Sequence, residues 1–234
     1  MVISIEKCLS DFSDVNPSAS YSKGSDDNPV ILLFESPGEH EMKRAAPLVG
    51  QTGLNYEVVV AIIGLISGIE IALQFEKSSA MVVNMLNRQI NNAERQKLLR
   101  HVDKLFSQKM VEDFLRITNG KRVLIAFGAI SCYFAKFIVR CKSTAFSTIL
   151  LCPYLGTIGM ANLKFGENDL DDVKEWDEMG RLKDLKKIEV VGRFVARYQE
   201  VEGIYGWNEL VNEWKERTGE NVRWVGDCSE WMSR

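Results

Sequence analysis

The sequence predicts an α/β fold: a three-layer α/β/α arrangement on a central four-stranded parallel sheet, helices on both faces, with an extra C-terminal helical segment. Three observations predict it. Four short apolar runs lack polar alternation, each run ends at a turn, and helical patterns fill the gaps between them. A strand buried on both faces reads as a continuous apolar run rather than an alternating one. Strand–helix–strand alternation at these spacings implies parallel strands joined by crossover helices.

The first run is Val30-Ile31-Leu32-Leu33-Phe34. Before it, residues 14–28 are rich in Ser, Asp, Asn and Gly, which marks a loop after a short N-terminal helix. Met81-Val82-Val83 is the second run, ending at Asn84. Arg122-Val123-Leu124-Ile125-Ala126-Phe127 is the third, ending at Gly128. Thr148-Ile149-Leu150-Leu151 is the fourth, ending at Cys152-Pro153. The intervening helices are expected over Leu54 to Ile66, Ala93 to Thr118 and Ile130 to Val139. Val58 to Ile69 is the most apolar stretch and is read as a buried helix. It is shorter than the roughly 18 to 20 residues that cross a bilayer, so no membrane span is expected.

The last third changes character. Residues 167–178 are acidic, and helical patterns follow at Arg181 to Glu200 and Trp207 to Thr218, then a strand-like Val222-Arg223-Trp224-Val225. No linker interrupts the chain. One domain is expected over residues 1–234, with a motif-bearing core at 30–165 and a helical extension at 166–234.

The 234 residues suffice for a hydrophobic core without disulfides or metals. Hydrophobic residues are 46% and charged residues 26%, as in ordinary globular proteins. The five cysteines include no C-x-x-C pair, which predicts reduced thiols in a cytoplasmic protein and no metal site. The N-terminus lacks the basic start and apolar stretch of a signal peptide. The formal net charge of −3 gives no global attraction to nucleic acid, so any DNA contact needs a local basic face.

In parallel sheets, ligands bind beyond the carboxyl ends of the strands. That rule selects Glu35 to Gly38, Asn84 to Arg88, Gly128 to Ser131 and Cys152 to Asn162. Glu35-Ser36-Pro37-Gly38 is the most distinctive of these. Pro37 fixes its own φ and Gly38 relaxes the turn, so backbone N–H groups are presented beside a carboxylate. Alone, such a turn is as consistent with a helix cap as with chemistry.

A second element follows at a fixed distance: Pro47-Leu48-Val49-Gly50-Gln51-Thr52-Gly53. Together the two resemble the first motif of the family-four branch of the uracil-DNA glycosylase superfamily, Gly-Glu-Ala-Pro-Gly-Glu, a polar loop, then Pro-Phe-Val-Gly-x-x-Gly. Met81-Val82-Val83-Asn84 with Asn87-Arg88 is similar to that family's second strand and its Asn-Arg pair. Val123 to Ile130 is similar to its third strand and Gly-Ala helix start. The resemblance spans roughly residues 30 to 165.

The resemblance implies base excision: a nucleotide is flipped from DNA and its N-glycosidic bond is hydrolysed, leaving an abasic site. It implies that Glu35 orients the water or stabilises sugar cation character, that Ser36 helps hold that water, and that Asn84 reads the base edge. Asn84 is equally consistent with a strand-end turn cap. Pro37, Gly38, His40, Leu48, Cys152 and Tyr154 complete the expected base pocket. Lys43, Arg44, Arg88 and Lys164 follow strand ends and are expected to meet phosphates. The loop carrying Leu155, Gly156, Thr157, Met160 and Asn162 is expected at the minor groove, with Met160 or Leu155 as a wedge. A Gly-rich surface loop with Met160 packed inward is the alternative.

Three departures bear on the substrate. Leu48 stands where the family carries an aromatic platform, which removes a stacking contact worth about 1–3 kcal/mol. Cys152-Pro153-Tyr154 stands where the family carries His-Pro-Ser, so the histidine facing the leaving base is replaced, with His40 as a candidate substitute. The family's iron–sulfur cysteines have no counterparts, so no cofactor is expected. These departures favour a modified or bulky pyrimidine, such as a phage-modified cytosine excised in anti-phage defence, over plain uracil. A uracil or deaminated-base repair enzyme is the first alternative, and an inactive DNA-binding protein on the same scaffold the second. The expected partner is DNA and the expected state a monomer.

Overall fold

The computed structural model describes residues 19–156 and 180–219. Six strands form one sheet: β1 (Tyr21–Ser22), β2 (Val30–Phe34), β3 (Met81–Asn84), β4 (Val123–Phe127), β5 (Thr148–Cys152) and β6 (Gly203–Tyr205), in the order β1-β3-β2-β4-β5-β6. The four expected strands are its parallel centre, and every residue of these four is buried. Two short edge strands enlarge the expected four. β1 runs antiparallel to β3, and β6 runs parallel to β5. Both have too few residues to show a period in the sequence.

Eight α-helices lie among the described residues: α1 (Glu39–Arg44), α2 (Gln51–Ser67), α3 (Ile69–Phe75), α4 (Asn92–Leu99), α5 (Gln108–Ile117), α6 (Ala129–Cys141), α7 (Gly180–Tyr198) and α8 (Trp207–Thr218). They cover both faces of the sheet, which makes the three-layer α/β/α fold. None is long and apolar enough to cross a membrane.

The helix expected over Ala93 to Thr118 is three pieces: α4, a 3₁₀ turn at Val102–Lys104, and α5. Local caps create the break. The Ser107 side chain accepts the Met110 N–H and restarts the chain as α5. The apolar stretch Val58 to Ile69 is also not buried all round. Tyr56, Val59 and Ile63 face the core, while Leu65 is 83% exposed and Ile66 and Ile69 are exposed with it. The expectation of a buried helix holds for one face of α2 only.

The C-terminal segment is structural rather than appended. α7 packs along α2 so closely that a Cβ on Gly192 would stand 2.7 Å from Ile62 Cβ. β6 then extends the sheet beside β5, and α8 returns to pack on α7. The expected strand-like Val222 to Val225, the short N-terminal helix and the acidic run 167–178 lie outside the described residues.

The strand order locates the end of the sheet at which folds of this class receive ligands. β2 and β4 are neighbours, yet the chain leaves β2 toward β3 and leaves β4 toward β5, on opposite sides. Such a reversal opens a crevice at the carboxyl ends of the two strands. The floor beneath it is aromatic. Phe34 and Phe127, the last residues of β2 and β4, stack at 4.7 Å, and Tyr56 meets both edge-on. The Tyr56 hydroxyl donates to the Phe75 carbonyl, so its polar end is satisfied within the core.

Candidate active site

Glu35 emerges from β2 at this crevice and is 3% exposed. Its carboxylate is bound from two sides. Arg95 of α4 donates Nε to Oε2 at 2.6 Å and Nη2 to Oε1 at 3.0 Å. The Ile130 backbone N–H, in the first turn of α6, donates to Oε1 at 2.9 Å. A helix N-terminus favours a carboxylate in this position. Oε1 thus takes two donors and Oε2 takes one, which leaves acceptor capacity on Oε2. Gly128 makes the approach possible. Its φ is +93°, and a Cβ there would lie 2.6 Å from Glu35 Oε1.

Glu41 holds the loop that follows. It is buried in α1, and its two oxygens accept the N–H groups of Gly38 and Leu48. One carboxylate therefore ties the Glu-Ser-Pro-Gly turn to the Pro-Leu-Val-Gly turn. Burial pushes its carboxyl above the usual carboxylate range, and the two N–H donors oppose that rise. The second turn is tight: Leu48 has φ +55°, and a Cβ on Gly53 would fall 1.9 Å from the Leu48 carbonyl oxygen. Gly53 is required because α2 starts directly over that carbonyl. A Cβ on Gly50 would reach His40 at ordinary contact distance, 3.5 Å, so the two halves of the motif also touch there.

The β5 loop closes the site. Asn55 of α2 donates to the Leu155 carbonyl at 2.6 Å, which anchors Pro153 to Gly156 over the start of α2. The Tyr154 ring lies across Gly156, where a Cβ would meet Cε1 at 2.4 Å. The Tyr154 hydroxyl stands 3.5 Å from the Thr52 hydroxyl. Burial raises its pKa, the Thr52 hydroxyl opposes that rise, and the charges of Glu35, Glu41 and Arg95 all act on it. Glu35, Glu41, Arg95 and Tyr154 thus form one cluster drawn from three separate stretches of chain.

No family model matches the chain, and no curated protein matches it.

The geometry brings together Glu35, the Ser36-Pro37-Gly38 turn that follows it, and Tyr154, while His40 meets the Gly50 end of the second turn. Ser36 is half-buried on the turn, and His40 is exposed on α1. Other expected residues are placed differently. Asn84 is buried, its side-chain amide donates to the Ala19 carbonyl at 2.9 Å, and its backbone N–H donates to the Ser20 carbonyl. It braces the β1 edge as a strand-end cap does. Leu48 is 1% exposed and belongs to the hydrophobic core. Cys152 is fully buried at the end of β5, where burial pushes its thiol up and its carbonyl accepts the Gly128 N–H at 3.0 Å.

Leu155 requires correction. It is 0% exposed and packed in the core, so it is a loop anchor and no wedge. Gly156 is buried beneath Tyr154 rather than open to a groove. Thr157, Met160, Asn162 and Lys164 lie outside the described residues. Of the expected phosphate contacts, Lys43 pairs with Glu39 at 2.6 Å and Arg88 forks onto Glu94 at 3.1 and 3.4 Å. Arg44 is exposed and makes no ion pair among the described residues.

Arg95 and Glu41 escaped the reading of the sequence. Glu41 had a local signal: it stands three residues after Gly38, the position from which a Glu reaches back to the N-cap N–H. Asn91 and Glu94 form a reciprocal capping box that fixes the start of α4, with Arg95 one residue further on. That a cation so near a helix N-terminus must find an anion is inferable. Which anion, 60 residues away in sequence, is not.

Proposed function

We propose that this protein is a DNA glycosylase that hydrolyses the N-glycosidic bond of a flipped, modified pyrimidine and leaves an abasic site. The observation that carries the reading is the Glu35 carboxylate, held at the switch point of the sheet by Arg95 and the Ile130 N–H. It stands within the loop whose sequence resembles the first motif of the uracil-DNA glycosylase superfamily. Departure of the base leaves cation character on C1′ and negative charge on the base. A fixed carboxylate stabilises the first, and its remaining acceptor capacity on Oε2 suits it to hold the attacking water.

A modified base is favoured over plain uracil because two expected uracil contacts are absent in chemistry and in place. Leu48 is a core residue rather than an aromatic platform, and Cys152 is a buried thiol. Tyr154, half-buried on the loop after β5, is the aromatic side chain that would offer a stacking surface instead. Anti-phage defence and a cytoplasmic location go with such a substrate.

A second reading has its own support. Because Arg95 already neutralises Glu35, the pair also suits an inactive DNA-binding protein on this scaffold. One experiment separates the two. Wild-type protein and Glu35→Gln are incubated with duplex and single-stranded DNA carrying uracil, hypoxanthine, 5-hydroxymethylcytosine or glucosylated 5-hydroxymethylcytosine, and alkali-labile sites are counted. The glycosylase reading predicts abasic sites on a modified cytosine, a loss of about 100-fold or more in the variant, and unchanged DNA affinity. Binding without cleavage on every base supports the second reading.

A further inference from the structure

The partner of Glu35 gives the site a second charge that the proposed chemistry can use. Heterolysis of an N-glycosidic bond separates charge: the C1′–N bond breaks, its electron pair leaves with the base, and C1′ becomes cationic. Water then bonds to C1′, one of its protons passes to the surrounding water, and the base anion takes a proton from water. The transition state is therefore a dipole, positive at the sugar and negative at the base. A lone carboxylate complements only half of it. The Glu35–Arg95 pair, joined by hydrogen bonds of 2.6 and 3.0 Å, is a dipole of matching kind.

Resting on the glycosylase reading, we infer that Arg95 is the group that carries the negative charge of the departing base. Four observations support the assignment. Arg95 is fixed by a fork onto a buried carboxylate, so its orientation costs no reorganisation during reaction. Its side chain is 27% exposed while that of Glu35 is 4% exposed, which places the guanidinium on the open side of the pair. It lies close enough to act electrostatically on Tyr154, the aromatic residue of the loop after β5. Its helix is started by the Asn91–Glu94 capping box, which sets the position of Arg95 on a rigid element. Among the remaining residues of the cluster, Glu41 only accepts, from two backbone N–H groups, and burial holds the Tyr154 phenol above its ordinary range, so Arg95 is the cation of this group. A guanidinium stays charged across the working pH range, so it stabilises the base as an anion without donating a proton.

This gives the test a readout that a purely structural ion pair does not move. With Arg95 present, the base leaves as an anion and the rate is level with pH. Without it, departure depends on protonation of the base by solvent, and the rate acquires acid dependence. Single-turnover excision is measured from pH 5.5 to 8 on the duplex that wild-type protein cleaves fastest, for wild type, Arg95→Gln and Arg95→Lys, with DNA affinity and melting temperature recorded for each. The inference expects Arg95→Gln to lose about 100-fold at pH 7.5, with affinity within about threefold and a residual rate that rises as pH falls. Arg95→Lys retains about a tenth of the rate or more, with a level profile. A loss in Arg95→Gln under about fivefold, or a loss whose pH profile runs parallel to wild type, overturns the inference and leaves the glycosylase reading standing. If Arg95→Gln does not fold, a folded Arg95→Lys with under about a hundredth of wild-type activity overturns it in the same way. Wild-type protein that cleaves no duplex removes the glycosylase reading, and the role of Arg95 with it.

Discussion

Two carboxylates six residues apart divide the work of the site. Glu35 is the one paired with a guanidinium at the crevice, and Glu41 is the one that ties together the loop around it. Each Glu41 oxygen meets a different backbone N–H, so an amide in its place would present an N–H₂ group to one of those donors. Glu41→Gln is therefore expected to lose about 1–3 kcal/mol of stability, read from urea unfolding, because one buried N–H loses its acceptor. A stability equal to wild type would show that the two turns do not depend on this carboxylate. At this scale the sequence was legible where a local rule applies. The Glu-Ser-Pro-Gly turn at the end of β2 follows from short-range geometry. Pairings across the sheet, such as Glu35 with Arg95 or Asn55 with Leu155, depend on strand order, which no local pattern encodes.

Among the elements, one close approach sets how α7 packs on α2. α2 and α7 are crossed at Gly192, where the missing side chain lets Ile62 seat against the backbone. Gly192→Val is expected to force the helices apart and cost about 1–3 kcal/mol, measured by urea unfolding, with the site residues untouched in chemistry. An unchanged unfolding midpoint would mean that α7 packs more loosely than the contact requires. The central strands were legible because each is a short continuous apolar run ended by a turn, too short for a buried helix. The break between α4 and α5 was not, because Leu98, Val102, Leu105 and Phe106 keep a helical period across it while caps at Asn91 and Ser107 set the true starts. Burial of the C-terminal segment was also hidden, since amphipathic helices look alike whether they extend a fold or complete it.

The whole molecule stores protons that its unfolded chain would release. Burial raises the thiols of Cys132 and Cys152 above the ordinary 9.0 and the phenols of Tyr21, Tyr56 and Tyr154 above the ordinary 10.0. Above about pH 9 the unfolded state binds fewer protons than the folded state, so stability falls as pH rises. The stabilising contribution is complete below the ordinary values and is lost as pH climbs through the raised ones. Thermal melts from pH 8 to 11 are expected to show a progressive fall in melting temperature, and a flat profile to pH 11 would contradict the burial of these groups. Three layers, a parallel centre and a crevice at the β2–β4 reversal together place Glu35 at the carboxyl end of the sheet, where the proposed function would have a flipped base received. The claim that it receives one is tested most directly by base release from DNA carrying 5-hydroxymethylcytosine or its glucosylated form. The account predicts abasic sites with wild-type protein and about 100-fold fewer with Glu35→Gln. Intact DNA with both proteins, or equal cleavage by both, would contradict it.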